Sequence, residues 1–190
     1  MKRGCKVFLF RHGQTYFNRD NKFTGFIDSK LSPAGKDDAK IVGLRLKNEK
    51  IGIAFHTSLS RSKETLNEVL KFHKNVRLVQ DNRIIERSYG DLSEKTHLEV
   101  VKKYGTKKYD NWHRSFDKRP PKGESFADVE KRVKSFINYL EELIKKENVN
   151  IAISAHGNSI RLFRKIMENL SVKETCEMFV PYDQVYEYEI

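Results

Sequence analysis

Apolar residues fall into two registers along this chain, and each register predicts its own elements. Val7 to Phe10 is an unbroken apolar run that reads as a short strand buried on both faces, cut off by Arg11-His12-Gly13. Val149 to Ala155 reads the same way and passes into His156-Gly157-Asn158. Further strands are predicted at Ile51 to Phe55 and Val76 to Val79, with a last, alternating one at Gln184 to Ile190. Helical spacing takes over between them. Ser32-Pro33 supplies an N-cap and a helix-compatible proline, and Ala39, Val42 and Leu46 follow on one face to about Asn48. Leu59 to His73 repeats the pattern through Leu66, Val69 and Leu70. Ser125 with Asp128 resembles a capping box, and Phe126, Val129, Val133, Phe136, Leu140 and Leu143 then mark the longest helix. Ser159 to Asn169 is predicted as one more helix.

Three stretches lack either register. Tyr16 to Leu31 mixes aromatics with Asn, Asp, Gly and Ser and reads as an ordered loop over a site, while Asp81 to Gly90 is irregular. The segment at about 93–122 is basic and aromatic, and is expected to form short helices that act as a lid. Strands alternating with helices predict a single α/β domain over 1–190, its mostly parallel central sheet flanked by helices on both faces.

Composition narrows this picture. At 190 residues, one domain with a sizeable core is expected. No apolar run approaches the ~20 residues of a membrane span, and the basic start MKRGCKVFLF has too short an apolar stretch for a signal peptide, so a cytoplasmic location is expected. Cys5 and Cys176 have neither the count of a disulfide framework nor the spacing of a zinc site. A net charge of +11 calls for an anionic partner: a phosphorylated metabolite, a nucleic acid or an acidic surface.

The two strands that end in His-Gly point to the chemistry. In open α/β sheets ligands sit beyond the carboxyl ends of the strands, where helix N-termini direct N–H groups at anions. A neutral histidine there can attack phosphorus. It then needs cations around the phosphoryl oxygens and an acid for the leaving oxygen. Arg11, Arg61 and His156 are candidates for the first role and Glu86 for the second, with His12 as nucleophile.

These residues stand in longer blocks. RHGQT (Arg11 to Thr15), Phe23 to Asp28, LSPAG (Leu31 to Gly35), TSLSRS (Thr57 to Ser62), ERSYGDL (Glu86 to Leu92), KYG (Lys103 to Gly105), WHRSFD (Trp112 to Asp117), PPKGES (Pro120 to Ser125) and AHGNSIR (Ala155 to Arg161) occur in this order. Together they resemble the histidine phosphatase, or phosphoglycerate mutase-like, superfamily, and its compact cofactor-dependent mutase branch in particular. The resemblance implies His12 as the phosphorylated nucleophile, Arg11, Arg61 and His156 as phosphoryl stabilisers, and Glu86 as proton donor and acceptor. It implies substrate contacts from Asn18, Thr24, Gly25, Arg87, Tyr89, Arg114 and Asn158. It further implies 2,3-bisphosphoglycerate as the priming phosphate donor, no metal, a place in glycolysis and gluconeogenesis, and possible homo-oligomers.

Four positions depart from the mutase pattern: Gln14, His97 for a substrate-binding lysine, His113 for an arginine, and Tyr182-Asp183 for a Thr-Gly turn. Two permanent cations are thereby exchanged for imidazoles. An ordinary histidine titrates near ~6.5, so phosphoglycerate affinity is expected to rise as pH falls toward about 6. A phosphatase hydrolysing a small phosphomonoester is the alternative activity.

Other classes have thinner support. Tyr104, Tyr109, Trp112 and Phe116 alternate with cations in a pattern that can bind single strands, yet they coincide with family positions, and no nucleic acid partner is expected. The C-x5-R spacing from Cys5 to Arg11 spans a strand, which cannot wrap a phosphate. The six histidines include no HExxH or close ligand pair, so EDTA-resistant activity is expected.

Overall fold

The computed structural model describes residues 4–190. The basic start of the N-terminus, residues 1–3, lies outside them. Among the described residues five strands form one sheet: β1 (Lys6–Arg11), β2 (Ile53–His56), β3 (Arg77–Gln80), β4 (Ile151–Ala155) and β5 (Val185–Glu189), in the order β3-β2-β4-β1-β5. All neighbours are parallel except β5, which runs antiparallel to β1. Among the described residues no helix is long and apolar enough to cross a membrane.

Side chains alternate across the sheet, and each face has its own cover. Phe8 and Phe10 point to one side, where Val42 and Leu46 of α2 (Pro33–Leu46) meet Leu66 and Val69 of α3 (Ser60–Val69). Val7 and Leu9 point to the other, against Val129, Val133, Phe136 and Leu140 of α6 (Phe126–Glu147). Phe163 of α7 (Gly157–Glu168) completes that side. Strands β2 and β4 are buried at every position, which explains their mostly apolar sequences. β3 is an edge strand and mostly exposed.

The predicted elements are present with shifted ends. α6 starts at the Ser125–Asp128 capping box. α7 starts at Gly157, two residues earlier than Ser159, because His156 is already its N-cap. The loop after β1 contains one helical turn, α1 (Tyr16–Arg19), capped by Thr15. The lid consists of α4 (His97–Tyr104) and α5 (Thr106–Arg114), joined at Gly105, whose φ of 82° suits glycine. A short helix, α8 (Val172–Glu177), was not predicted, although Ser171 and Glu174 form a capping box there.

Aromatics of the lid face inward. Tyr104, Tyr109 and Trp112 pack on Phe23, Tyr89, Leu92 and Val100, and Phe116 joins the main core. Their faces are therefore occupied by the protein's own side chains. Below the lid, the chain after β1 crosses the start of α2 so closely that a Cβ on Gly13 would lie 2.0 Å from the Gly35 oxygen. Only glycine fits this crossing, which fixes the exit of the chain from His12.

Candidate active site

Register brings the two histidines together. Arg11 pairs with Ala155 across β1 and β4, and the His12 N–H donates to the Ala155 carbonyl at 3.1 Å. The next residues, His12 and His156, consequently sit side by side with ring centroids 5.0 Å apart. Both are buried. Burial, then the charges of Arg61 and Arg11, hold His12 well below the usual imidazole value; burial, Arg61 and His12 do the same to His156. Both rings are neutral at pH 7.

Hydrogen bonding sets the tautomer of His12. Its Nδ1 lies 2.8 Å from the Gly13 carbonyl, which can only accept, so Nδ1 carries the proton and Nε2 keeps its lone pair. The loop bearing this ring is held by the Gly13 N–H on the Thr65 hydroxyl, 3.0 Å, and by the Gln14 N–H on Asp38, 3.1 Å. Nε2 of His156 meets the Thr57 hydroxyl at 2.9 Å.

Guanidinium groups surround this pair. Arg61, 1% exposed, donates to the carbonyls of Ile27 and Gly25 at 2.9 and 2.8 Å. Burial lowers its pKa to about 10, which leaves it charged at pH 7. Arg11 donates to the Val180 carbonyl at 2.8 Å. Glu86 approaches from the far side, one carboxylate oxygen accepting the N–H groups of Arg87 at 2.8 Å and Asn158 at 3.2 Å. Its segment is braced by Arg132 of α6, whose guanidinium donates to the carbonyls of Arg83, Ile85 and Glu86.

These groups open on a cavity of about 360 Å³. Of the residues singled out in the sequence, Arg11, His12, Asn18, Thr24, Gly25, Arg61, Glu86, Tyr89, His97, His113, Arg114 and Asn158 line it. His156 stands behind His12 and is fully buried. Arg87 does not line the cavity either. Its guanidinium has no exposure, lies between the rings of Tyr89 and Phe126, and donates to the Trp112 carbonyl at 2.8 Å, so it ties the lid to the Glu86 segment.

Sequence reasoning passed over several lining residues. Lys22 comes from the loop after α1, Arg161 from α7, and Phe179, Val180 and Tyr182 from the segment between α8 and β5. Arg161 was legible as the last residue of AHGNSIR. Tyr182 had been noted only as part of a departure from the family pattern, while Phe179 and Val180 follow an unpredicted helix and, like Lys22, carry no pattern of their own.

Four buried polar atoms here have no hydrogen-bond partner: Arg11 Nε, Arg61 Nε, Thr24 Oγ1 and His156 Nδ1. Leaving one such group unpaired costs roughly 1–3 kcal/mol, so a cluster of four, two of them on cations, is a vacancy shaped for an oxyanion.

His97 and His113 correct an expectation. They pack with Phe23 at the lid, His97 at 4.2 Å and His113 at 5.7 Å between ring centroids. Burial and then the charge of Arg114 lower both, and His113 is pushed down to about 3. His113 therefore stays neutral when pH falls from 8 to 6, and His97 takes up less proton there than an ordinary imidazole, so the predicted gain in affinity toward pH 6 is reduced. After correction for the substrate's own phosphate titration, phosphoglycerate affinity measured by calorimetry should rise over this range by less than two ordinary imidazoles would produce. A rise of tenfold or more would mean that one of them takes up a proton on binding.

Comparison with known proteins agrees with this arrangement. A family model described as histidine phosphatase superfamily (branch 1) matches residues 7–190. A 2,3-bisphosphoglycerate-dependent phosphoglycerate mutase of Cytophaga hutchinsonii is 35% identical over 174 residues, covering 90% of this chain and 80% of the relative. Among solved structures, Bacillus stearothermophilus YhfR superposes with a TM-score of 0.87 at 24% identity, covering 98% of this chain and 91% of that one. The alpha-ribazole phosphatase of Shigella flexneri gives 0.85 at 21%, covering 97% and 90%. With paired histidines at adjacent strand ends and a family match over nearly its whole length, the chain belongs to the histidine phosphatase superfamily.

Proposed function

We propose that this enzyme interconverts 3- and 2-phosphoglycerate through a phosphohistidine on His12, with 2,3-bisphosphoglycerate as the priming phosphoryl donor. The observation that carries this reading is the set of four unpaired buried atoms around a histidine whose Nε2 lone pair is free. In the first half-reaction Nε2 attacks phosphorus, the P–N bond forms and the P–O bond to the substrate breaks. Arg11, Arg61 and the unpartnered Nδ1 of His156 take up the charge on the phosphoryl oxygens, and Glu86 gives a proton to the departing oxygen. In the second, Glu86 takes the proton back from the accepting hydroxyl as the phosphoryl group returns. Lys22, Arg114 and Arg161 supply further positive charge to the cavity, which suits a substrate with a second anionic group.

The naming of the Cytophaga relative supports the mutase reading. One observation favours hydrolysis instead: two positions expected to hold cations carry neutral His97 and His113, which weakens retention of the glycerate between half-reactions. Phosphorus NMR of the protein with 3-phosphoglycerate and a trace of 2,3-bisphosphoglycerate separates the two. Growth of 2-phosphoglycerate without matching inorganic phosphate is expected. Inorganic phosphate as the sole product would replace the mutase by a phosphatase.

A further inference from the structure

Tyr182 stands at one of the departures from the family pattern, and the reaction scheme above assigns it no work. The Arg11 guanidinium carbon lies over its ring, 4.0 Å from the centroid, and both residues line the cavity. Gly157 borders the same guanidinium, since a Cβ placed there would come within 3.5 Å of it. The segment carrying Tyr182 is itself anchored. Val180 is buried and its carbonyl accepts from Arg11, the Met178 carbonyl accepts from Arg161 at 2.9 Å, and Asp183 pairs with Arg45 of α2 at 3.1 Å.

A cation in a phosphoryl site has to be oriented without being neutralised. A carboxylate would hold Arg11 in place but would compete with the phosphoryl oxygens for its charge. An aromatic face attracts the guanidinium through its quadrupole and leaves the N–H edge and the full charge available.

We propose that Tyr182 is a positioning residue for phosphoryl transfer, its ring holding the Arg11 guanidinium in place at the wall of the cavity that His12 also lines. The proposal rests on the reading of His12 as the phosphorylated nucleophile. It does not depend on whether the second half-reaction goes to glycerate or to water.

The test is single-turnover labelling of His12 from radiolabelled 2,3-bisphosphoglycerate, with wild type, Tyr182→Phe and Tyr182→Leu. Wild type labels, Phe labels at close to its rate, and Leu slows by about fivefold to twentyfold, the range that loss of a partly buried cation–π contact gives. The concentration of donor at half-maximal rate should move less than the rate, because Arg11 is one cation among several. Leu at the wild-type rate, or Phe as slow as Leu, would overturn the role of the ring. Should the Leu protein fail to fold, proton NMR of the wild type decides: the Arg11 Hε signal is expected upfield from ring-current shielding, and an unshifted signal overturns the proposal. Absence of label on the wild type would instead refute the phosphohistidine reading.

Discussion

A His12→Ala variant will form no acid-labile phosphoenzyme and will lose turnover by about 10³-fold or more, whichever acceptor takes the phosphoryl group. The reason is geometric. Nδ1 of His12 is committed to the Gly13 carbonyl at 2.8 Å, so Nε2 is the free nucleophile, and His156, 5.0 Å away, has its own Nε2 engaged by Thr57. The pH profile of wild-type labelling tests the same point. Because burial and the neighbouring arginines hold His12 below its ordinary value, the neutral ring persists as pH falls from 8 toward 6. A histidine at the ordinary value would lose about half its nucleophilic form near pH 6.5. Labelling that halves there would show that Arg61 and Arg11 do not depress it. Retained turnover in His12→Ala would remove the histidine from the mechanism.

Glu86→Gln should cost about 10²- to 10⁴-fold in turnover on phosphoglycerate, the usual contribution of a positioned acid or base. Glutamine keeps a carbonyl oxygen for the N–H groups of Arg87 and Asn158, so the local fold survives and the missing proton is isolated. The loss should shrink sharply on an aryl phosphate whose leaving oxygen needs no proton. Equal losses on both substrates, measured as phosphoenzyme formation rates, would assign Glu86 to binding instead.

What could be read from the residues was what has a short period or a fixed neighbour. β1, β4 and the long α6 were visible because burial on both faces, or on one helical stripe, imposes an apolar pattern that nothing else produces. The reactive end of the sheet followed from two His-Gly junctions at strand ends. The orphaned donors of Arg11 and Arg61 did not, because hydrogen-bond vacancies depend on backbone carbonyls, such as those of Gly25, Ile27 and Val180, that are brought in from elsewhere in the chain. The ionisation of His113 was misjudged for the same reason: burial against Phe23 and the charge of Arg114 outweigh the intrinsic value, and neither is a property of the residue itself. Arg132, which braces the Glu86 segment, sits on a helix face that reads as ordinary solvated charge.

The place of β1 in the sheet also has a consequence for how the protein is made. β1 (Lys6–Arg11) leaves the ribosome well before both of its partners, β4 (Ile151–Ala155) and β5 (Val185–Glu189). At about 5–20 residues per second the first strand waits roughly 10–35 s with both edges unpaired, and Val7, Phe8, Leu9 and Phe10 have no sheet to enter. A nascent chain therefore carries His12 long before it carries His156, and the candidate site is completed only once β4 and the start of α7 have been made. That interval is also when the chain is most open to aggregation through β1, and most in need of a chaperone.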